Sequence, residues 1–269
     1  MSDRRPIGVF DSGVGGLTVA AALSRALPEE SILYLGDTAR LPYGTKSPET
    51  VNRYTRRNVG FLVERGVKAV VVACNTASAV ALPWLSASVP VWGVIEPGAR
   101  RAAALTGGTV GIVATESTVR SGAYEAALRA LRPELEIHSR ACPLLVPLVE
   151  EGWLEDPVTD QVLARYLDPL VAAGIDTLVL GCTHYPLLAP AIRRQVGEGV
   201  ALVDSAEAVT EEVAAELERR GLLARGRVAE DHVCVTDGAE RFVRLAGEIL
   251  HRPVRLELVD LGAGEGGAA

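Results

Sequence analysis

Three observations predict an α/β protein made of two pseudo-symmetric doubly wound domains with mostly parallel sheets. Strand-sized apolar runs alternate with helix-length segments almost from end to end, an order that builds parallel sheets with helices on both faces. The stretch RGVKAVVVACNT, 65–76, aligns without a gap on AGIDTLVLGCTH, 173–184. A fainter echo pairs IGVFDS, 7–12, with VGIVAT, 110–115, so one plan is used twice.

In chain order, Val/Ile-rich runs without polar alternation predict strands at 6–10, 32–35, 69–73, 109–113, 135–138, 177–181, 201–203, 232–235 and 254–258. Helices are predicted over 16–27, 48–65, 78–87, 117–131, 159–173, 206–219 and 239–250. The change-over between halves is expected in VIEPGARRA, 94–102, where Pro97 and Gly98 break the pattern. This gives one domain of residues 1–97 with 208–269, a second of 98–207, and an active site in the cleft between them. The end, GAGEGGAA at 262–269, is too glycine-rich to be expected to order.

Composition narrows the function. With 48% apolar and 23% charged residues the chain reads as a soluble globular protein. No apolar run approaches the ~20 residues of a membrane helix, and MSDRRPIGVFDSG has no long apolar region, so no secretory signal and no membrane are expected. A net charge of −7 gives no basic footprint, and RYTRR, 53–57, reads as a solvated helix face, so no nucleic-acid partner is expected. Cys74, Cys142, Cys182 and Cys234 form no C-x-x-C pair. They read as cytoplasmic thiols, with neither a disulfide framework nor a metal site.

Two of these cysteines carry the chemistry. Cys74 and Cys182 each follow a buried strand. Ligands of open α/β sheets bind at the carboxyl ends of strands, so facing halves would set both thiols in one cleft. A helix start offers backbone N–H groups and a positive dipole end, both of which favour thiolate. Two thiols across a cleft suit removal of a proton from one face of a carbon and delivery of one to the other. Asp11 and Ser12 end the first strand, before the Gly13, Gly15 and Gly16 turn. That turn is a weak anion cradle and lacks the Gly-Lys-Ser/Thr of a Walker loop. Asp11 can orient or accept a proton from a thiol, and His184, two residues after Cys182, can poise the other. Asn75, Thr76 and Thr183 are small donors at helix starts, suited to a carboxylate or to capping. His138, His232 and His251 lack such neighbours and read as structural.

The motifs FDSGVGGLTV, LGDTARLPYG, ACNTAS and GCTHYPLL together resemble glutamate racemase, of the cofactor-independent aspartate/glutamate racemase superfamily, over about residues 6–258. The resemblance implies an isomerase that interconverts L- and D-glutamate and supplies D-glutamate for peptidoglycan. It implies no cofactor, and a homodimer. Carried over by residue, it makes Cys74 and Cys182 the acid–base thiols, with Cys74 acting on D-glutamate, and Asp11 and His184 their assistants. Glu151 takes the place of the carboxylate paired with the histidine, although Glu150 is adjacent and spacing alone does not choose. Ser12, Tyr43, Gly44, Asn75, Thr76 and Thr183 match substrate contacts, and Thr115 and Thr118 resemble contacts from the second domain. The histidine of CTH favours glutamate over aspartate. The lysines agree on the absence of pyridoxal phosphate: Lys46 lies in a polar loop and Lys68 just before a strand. An aspartate or hydantoin racemase, and a two-lobed binding module, are the competing readings.

Overall fold

The computed structural model describes residues 3–227, 229–250 and 256–262. Strands β1 (Ile7–Asp11), β2 (Ile32–Gly36), β3 (Ala69–Val72), β4 (Val91–Gly93), β9 (His232–Val235) and β10 (Leu256–Leu258) form one sheet, in the order β10-β9-β2-β1-β3-β4. Strands β5 (Thr109–Ala114), β6 (Glu136–Ala141), β7 (Thr177–Gly181) and β8 (Ala201–Asp204) form the other, ordered β6-β5-β7-β8. Every pairing in both sheets is parallel. The order β2-β1-β3-β4 is therefore repeated as β6-β5-β7-β8, with β9 and β10 added to the first sheet. The fainter echo pairs β1 with β5, which hold equivalent places.

Eleven α-helices are described: α1 (Leu17–Ala26), α2 (Pro48–Glu64), α3 (Asn75–Val80), α4 (Ile95–Leu105), α5 (Glu116–Ser121), α6 (Ala123–Leu131), α7 (Leu145–Glu150), α8 (Pro157–Ala172), α9 (Ala189–Val196), α10 (Ser205–Arg219) and α11 (Ala239–Leu250). Both faces of each sheet are covered. Val9 and Val71 pack with Leu17, Val213 and Phe242 on one face of the first sheet. Phe10, Val70 and Val72 pack with Val51, Val59 and Leu62 on the other. In the second sheet, Leu178 and Leu180 meet Leu163 and Leu167, while Val110, Ile112 and Val179 meet Ala99 and Leu128. Two-sided burial explains why these strands carry no polar alternation.

The repeat extends into local detail. Helix α2 starts at Ser47, whose hydroxyl accepts from the Thr50 N–H, with Pro48 in the first turn. Helix α8 starts at Asp156, whose carboxylate accepts from the Val158 N–H, with Pro157 in the first turn. Both pair a capping side chain with a proline at a position that needs no N–H donor. Each helix ends on a left-handed glycine, Gly66 at φ 78° and Gly174 at φ 76°, and each then feeds the strand that leads to a cysteine.

The sequence reading differs in several places. The segment 117–131 is two helices, α5 and α6, broken at Gly122 with φ 65°. Helix α3 begins at Asn75 and ends at Val80, earlier than the expected 78–87. β4, α7 and α9 were not expected. Nor was α4, because Pro97 and Gly98 read as a break; they sit in the first turn of that helix. Residues 251–255, with His251 and the start of the last expected strand, lie outside the described residues, as does 263–269 of the glycine-rich end. No helix among the described residues is long and apolar enough to cross a membrane.

Candidate active site

Parallel strands in each sheet carry their carboxyl ends to one edge, and there the sheets face each other across a cleft. From the first sheet it is lined by Ser12 and Gly13 after β1, by Tyr43 and Gly44 after β2, and by Cys74, Asn75 and Thr76 after β3. From the second it is lined by Thr115 after β5, by Val146 and Glu150 on α7, and by Cys182, Thr183 and His184 after β7. Both sulfurs thus share one cavity, and each cysteine is about 95% buried.

The surroundings of the two thiols differ. Cys74 is the residue before α3, and its thiol donates to the Ser12 hydroxyl at 3.7 Å. Asp11, fully buried behind the cleft, accepts from the Gly13 N–H at 2.9 Å and from the Thr183 hydroxyl at 3.3 Å. Burial pushes the Cys74 thiol up to about 12, with Asp11 adding to the rise and the Ala77 N–H and Ser12 opposing it. The helix start was expected to favour thiolate; desolvation in a closed cleft outweighs it. Cys182 Sγ lies 3.9 Å from His184 Nδ1, and His184 Nε2 lies 3.3 Å from Glu150 Oε1. Burial is the largest influence on the imidazole and lowers its pKa, but Cys182, Glu150 and Asp11 together raise it to about 10. These partners favour the protonated imidazole and place it to exchange a proton with the sulfur.

The carboxylate beside the histidine is that of Glu150, which corrects the expectation for Glu151. Glu150 closes α7 with its side chain in the cleft, whereas Glu151 is exposed. One residue along a helix turns a side chain by about 100°, so only one of the two can face His184. Tyr43 lines the cleft, with its hydroxyl turned to other partners. Its hydroxyl donates to Asp37 Oδ2 at 2.5 Å and accepts from Asn58 Nδ2 at 3.0 Å, so it offers the cleft its ring and backbone. Thr76, Thr115 and Thr118 form a hydroxyl triangle across the halves, at 2.9, 3.0 and 3.3 Å. Thr118 is buried in it without lining the cleft.

Three further features were not foreseen. Asp37, in LGDTARLPYG, accepts from Arg40, Tyr43, Asn58 and Thr236. It anchors the loop that carries Tyr43 and Gly44; a lone Asp in a polar loop gave no such signal. The glycines of FDSGVGG serve close approach: a Cβ on Gly15 would stand 2.4 Å from Thr183 Oγ1 and 2.6 Å from His184 Nδ1, and one on Gly16 would stand 2.4 Å from Asp11 Cβ. Gly44 meets Thr115 in the same way, at 2.6 Å. Last, the Tyr124 hydroxyl donates to Asn75 Oδ1 at 2.7 Å.

Other groups lie outside the cleft. Lys68 is buried with its ammonium on Glu30 at 2.5 Å and on two backbone carbonyls, a structural ion pair. All four cysteines are free. Where no metal constellation was expected, His232, Cys234 and Glu257 bring ligand atoms within 4.8 Å of one another at β9 and β10. Arg65 bonds both oxygens of Glu257, which sets a cation against that carboxylate, and none of the three lines the cleft.

The model of the Asp/Glu/hydantoin racemase family matches residues 15–213. A glutamate racemase of Geobacter metallireducens is 54% identical over 251 residues, 91% of this chain and 93% of that protein. The crystal structure of the glutamate racemase isoform RacE1 from Bacillus anthracis superposes with a TM-score of 0.93 at 42% identity, covering 96% of this chain and 98% of the other. That of the Francisella tularensis glutamate racemase in complex with D-glutamate gives 0.91 at 36% identity, with the same coverage. With two like α/β sheets, a cysteine ending the equivalent strand of each, and these relatives, the chain belongs to the Asp/Glu/hydantoin racemase family, on its glutamate racemase branch.

Proposed function

We propose that this protein interconverts L- and D-glutamate by two-thiol proton transfer at Cα and thereby supplies D-glutamate for peptidoglycan. The observation that carries the mechanism is the convergence of Cys74 and Cys182 on one cleft from equivalent strand ends. One sulfur, as thiolate, takes the Cα proton; the other, as thiol, returns a proton to the opposite face. In reverse the roles exchange, and neither sulfur bonds to carbon. Asp11 and Ser12 serve the Cys74 side, while His184 and Glu150 serve the Cys182 side.

The carbanion has no electron sink, so it needs aimed donors in a dry site. Asn75, Thr76 and Thr183 fill that role at the α-carboxylate. The distal carboxylate falls to the backbone of Tyr43 and Gly44, whose short helical turn has no side-chain cap, and to Thr115, with Thr118 behind it. Substrate entry requires the halves to part. We assign them as residues 1–97 with 208–269 and residues 98–207, hinged near 94–100 and 205–210, in a cytoplasmic homodimer. Light scattering on the purified protein tests the dimer.

Racemisation in heavy water tests the mechanism. Product should carry solvent deuterium while unreacted substrate stays largely protiated early on. Early wash-out of the substrate proton without racemisation would contradict two separate bases. Polarimetry with aspartate and with hydantoins in place of glutamate separates the competing substrates.

A further inference from the structure

Among the described residues that line the cleft, two buried side-chain nitrogens make no hydrogen bond: His184 Nε2, which has the Glu150 carboxylate 3.3 Å away, and Asn75 Nδ2. Asn75 is 2% exposed, and its Nδ2 makes no hydrogen bond. The other end of the same amide is occupied, because Oδ1 accepts from the Tyr124 hydroxyl at 2.7 Å. A phenol has one proton to give. Burial, with the Asp204 carboxylate adding and Ser205 opposing, holds Tyr124 well above the ordinary tyrosine range, so that proton stays in place at any working pH.

The ring is itself held. A Cβ on Gly98 of α4 would stand 3.3 Å from Tyr124 Cε1, and one on Gly181 at the end of β7 would stand 3.2 Å from Cε2. Two glycines thus leave a slot that the ring occupies. Tyr124 sits on α6 beside the second sheet, whereas Asn75 opens α3 behind the first. Their bond crosses between the halves.

We propose that Tyr124 is a positioning residue that fixes the Asn75 amide with its N–H₂ turned to the substrate carboxylate. This rests on the racemase reading above. With Tyr124 in place, turning the amide over would give up the bond from the phenol to Oδ1 and aim an acceptor at an anion. Without the hydroxyl, both orientations become available. Because the phenol comes from the opposite half, the donor is aligned only when the halves have met, which ties the grip on substrate to closure.

The test is a double-mutant cycle of Tyr124→Phe and Asn75→Ala, with kcat and KM measured for both enantiomers and melting followed alongside. Tyr124→Phe should lower kcat/KM about tenfold, mostly through KM, since a charge-assisted hydrogen bond to a carboxylate is present in ground and transition states alike. In the Asn75→Ala background the same change should have no further effect, because the group it orients is gone. Full additivity, or wild-type KM in Tyr124→Phe, overturns the proposal. If Tyr124→Phe melts below the assay temperature, Asn75→Asp decides. It keeps the acceptor for Tyr124 but puts an oxygen where the donor was, so its KM should rise well beyond that of Asn75→Ala, and an equal rise overturns the proposal. Failure of the wild-type protein to racemise glutamate would instead remove the reading on which this rests.

Discussion

Strands β3 and β7 occupy equivalent places in their sheets, follow equivalent capped helices, and end on equivalent cysteines, yet the residues after the cysteine diverge. After Cys74 the chain enters α3 with Asn75 and Thr76, and the thiol faces Ser12 with Asp11 behind. After Cys182 it runs through Thr183 and His184 into a short 3-10 turn, and the sulfur faces an imidazole backed by Glu150. Burial and a neighbouring carboxylate favour the protonated form of one thiol; the other has beside it an imidazole whose protonated form Glu150 favours. A symmetric scaffold gives two sulfurs aimed at one carbon. The asymmetric neighbours set where the protons rest, and a two-base reaction needs one thiol and one thiolate at the start.

The largest test removes each sulfur. Cys74→Ala and Cys182→Ala should each lower racemisation by ~10⁴-fold or more, since a positioned acid or base contributes ~10²–10⁴ and each cysteine serves as both. Circular dichroism of the reaction mixture measures the loss, and appreciable activity in either variant would break the two-thiol comparison. Changing the neighbours comes next. His184→Asn and Asp11→Asn should each cost ~10²-fold, with opposite asymmetry. L- and D-glutamate have equal free energies in water, so kcat/KM must fall equally in both directions. The asymmetry can appear only in kcat and KM taken separately: kcat from L-glutamate falls more in His184→Asn, and kcat from D-glutamate falls more in Asp11→Asn. The same bias in both variants would mean that the neighbours are not divided between the thiols.

A smaller effect separates the two adjacent glutamates. Glu150→Gln should slow turnover about tenfold, whereas Glu151→Gln should stay within about twofold, because only Glu150 reaches His184. Glu150 raises the His184 pKa, so removing its charge lowers that pKa and moves the basic limb of the pH–rate profile to lower pH. Stability follows the same sign. The folded value of about 10 exceeds the ordinary histidine value of 6.5. The contribution of His184 is therefore fully present below about pH 6.5 and is lost as the pH climbs through about 10. Urea titrations between pH 6 and pH 10 should show a shallower decline in Glu150→Gln, and an unchanged slope would place the support of His184 elsewhere.

What the sequence disclosed follows the range over which each signal acts. The β3 and β7 strands, their left-handed glycines and the two cysteines are local, and they were legible as a repeat. β4 was not, because three residues after Pro90, two half-buried and the third a buried glycine, carry too little periodicity. α4 was hidden by Pro97, which costs little in a first turn where its N–H has no partner to meet, and by Gly98, which makes room for Tyr124. Contacts between the halves left the weakest trace. Whether Glu150 or Glu151 meets His184 depends on how α7 is rotated against β7. The capture of the Tyr43 hydroxyl by Asp37, and the reach of Tyr124 to Asn75, are fixed only when separate segments pack. Shared motifs brought those cleft residues into view through family resemblance, but their partners had to come from three dimensions.

Where the two halves agree, substitutions should cost the same, and the helix caps allow a direct test. The Gly66 N–H donates to the Val63 carbonyl at 3.0 Å and the Val67 N–H to that of Leu62 at 3.4 Å. The Gly174 N–H donates to the Val171 carbonyl at 2.9 Å and the Ile175 N–H to that of Leu170 at 3.4 Å. A Cβ on either glycine meets nothing within 4 Å, so Gly66→Ala and Gly174→Ala introduce backbone strain without a clash. Each should cost about 1 kcal/mol and lower the melting temperature by about 2–4 °C in a chain of this size, with kcat within about twofold of wild type. The double variant should show the sum, because the caps share no partner. Gly60 in α2 is the control: its Cβ would also meet nothing within 4 Å, but its backbone is helical, so Gly60→Ala should stabilise by up to about 1 kcal/mol. Unequal costs at the two caps would mean that the halves share a sequence pattern and a strand order but differ in how firmly each helix is tied to the strand that delivers its cysteine.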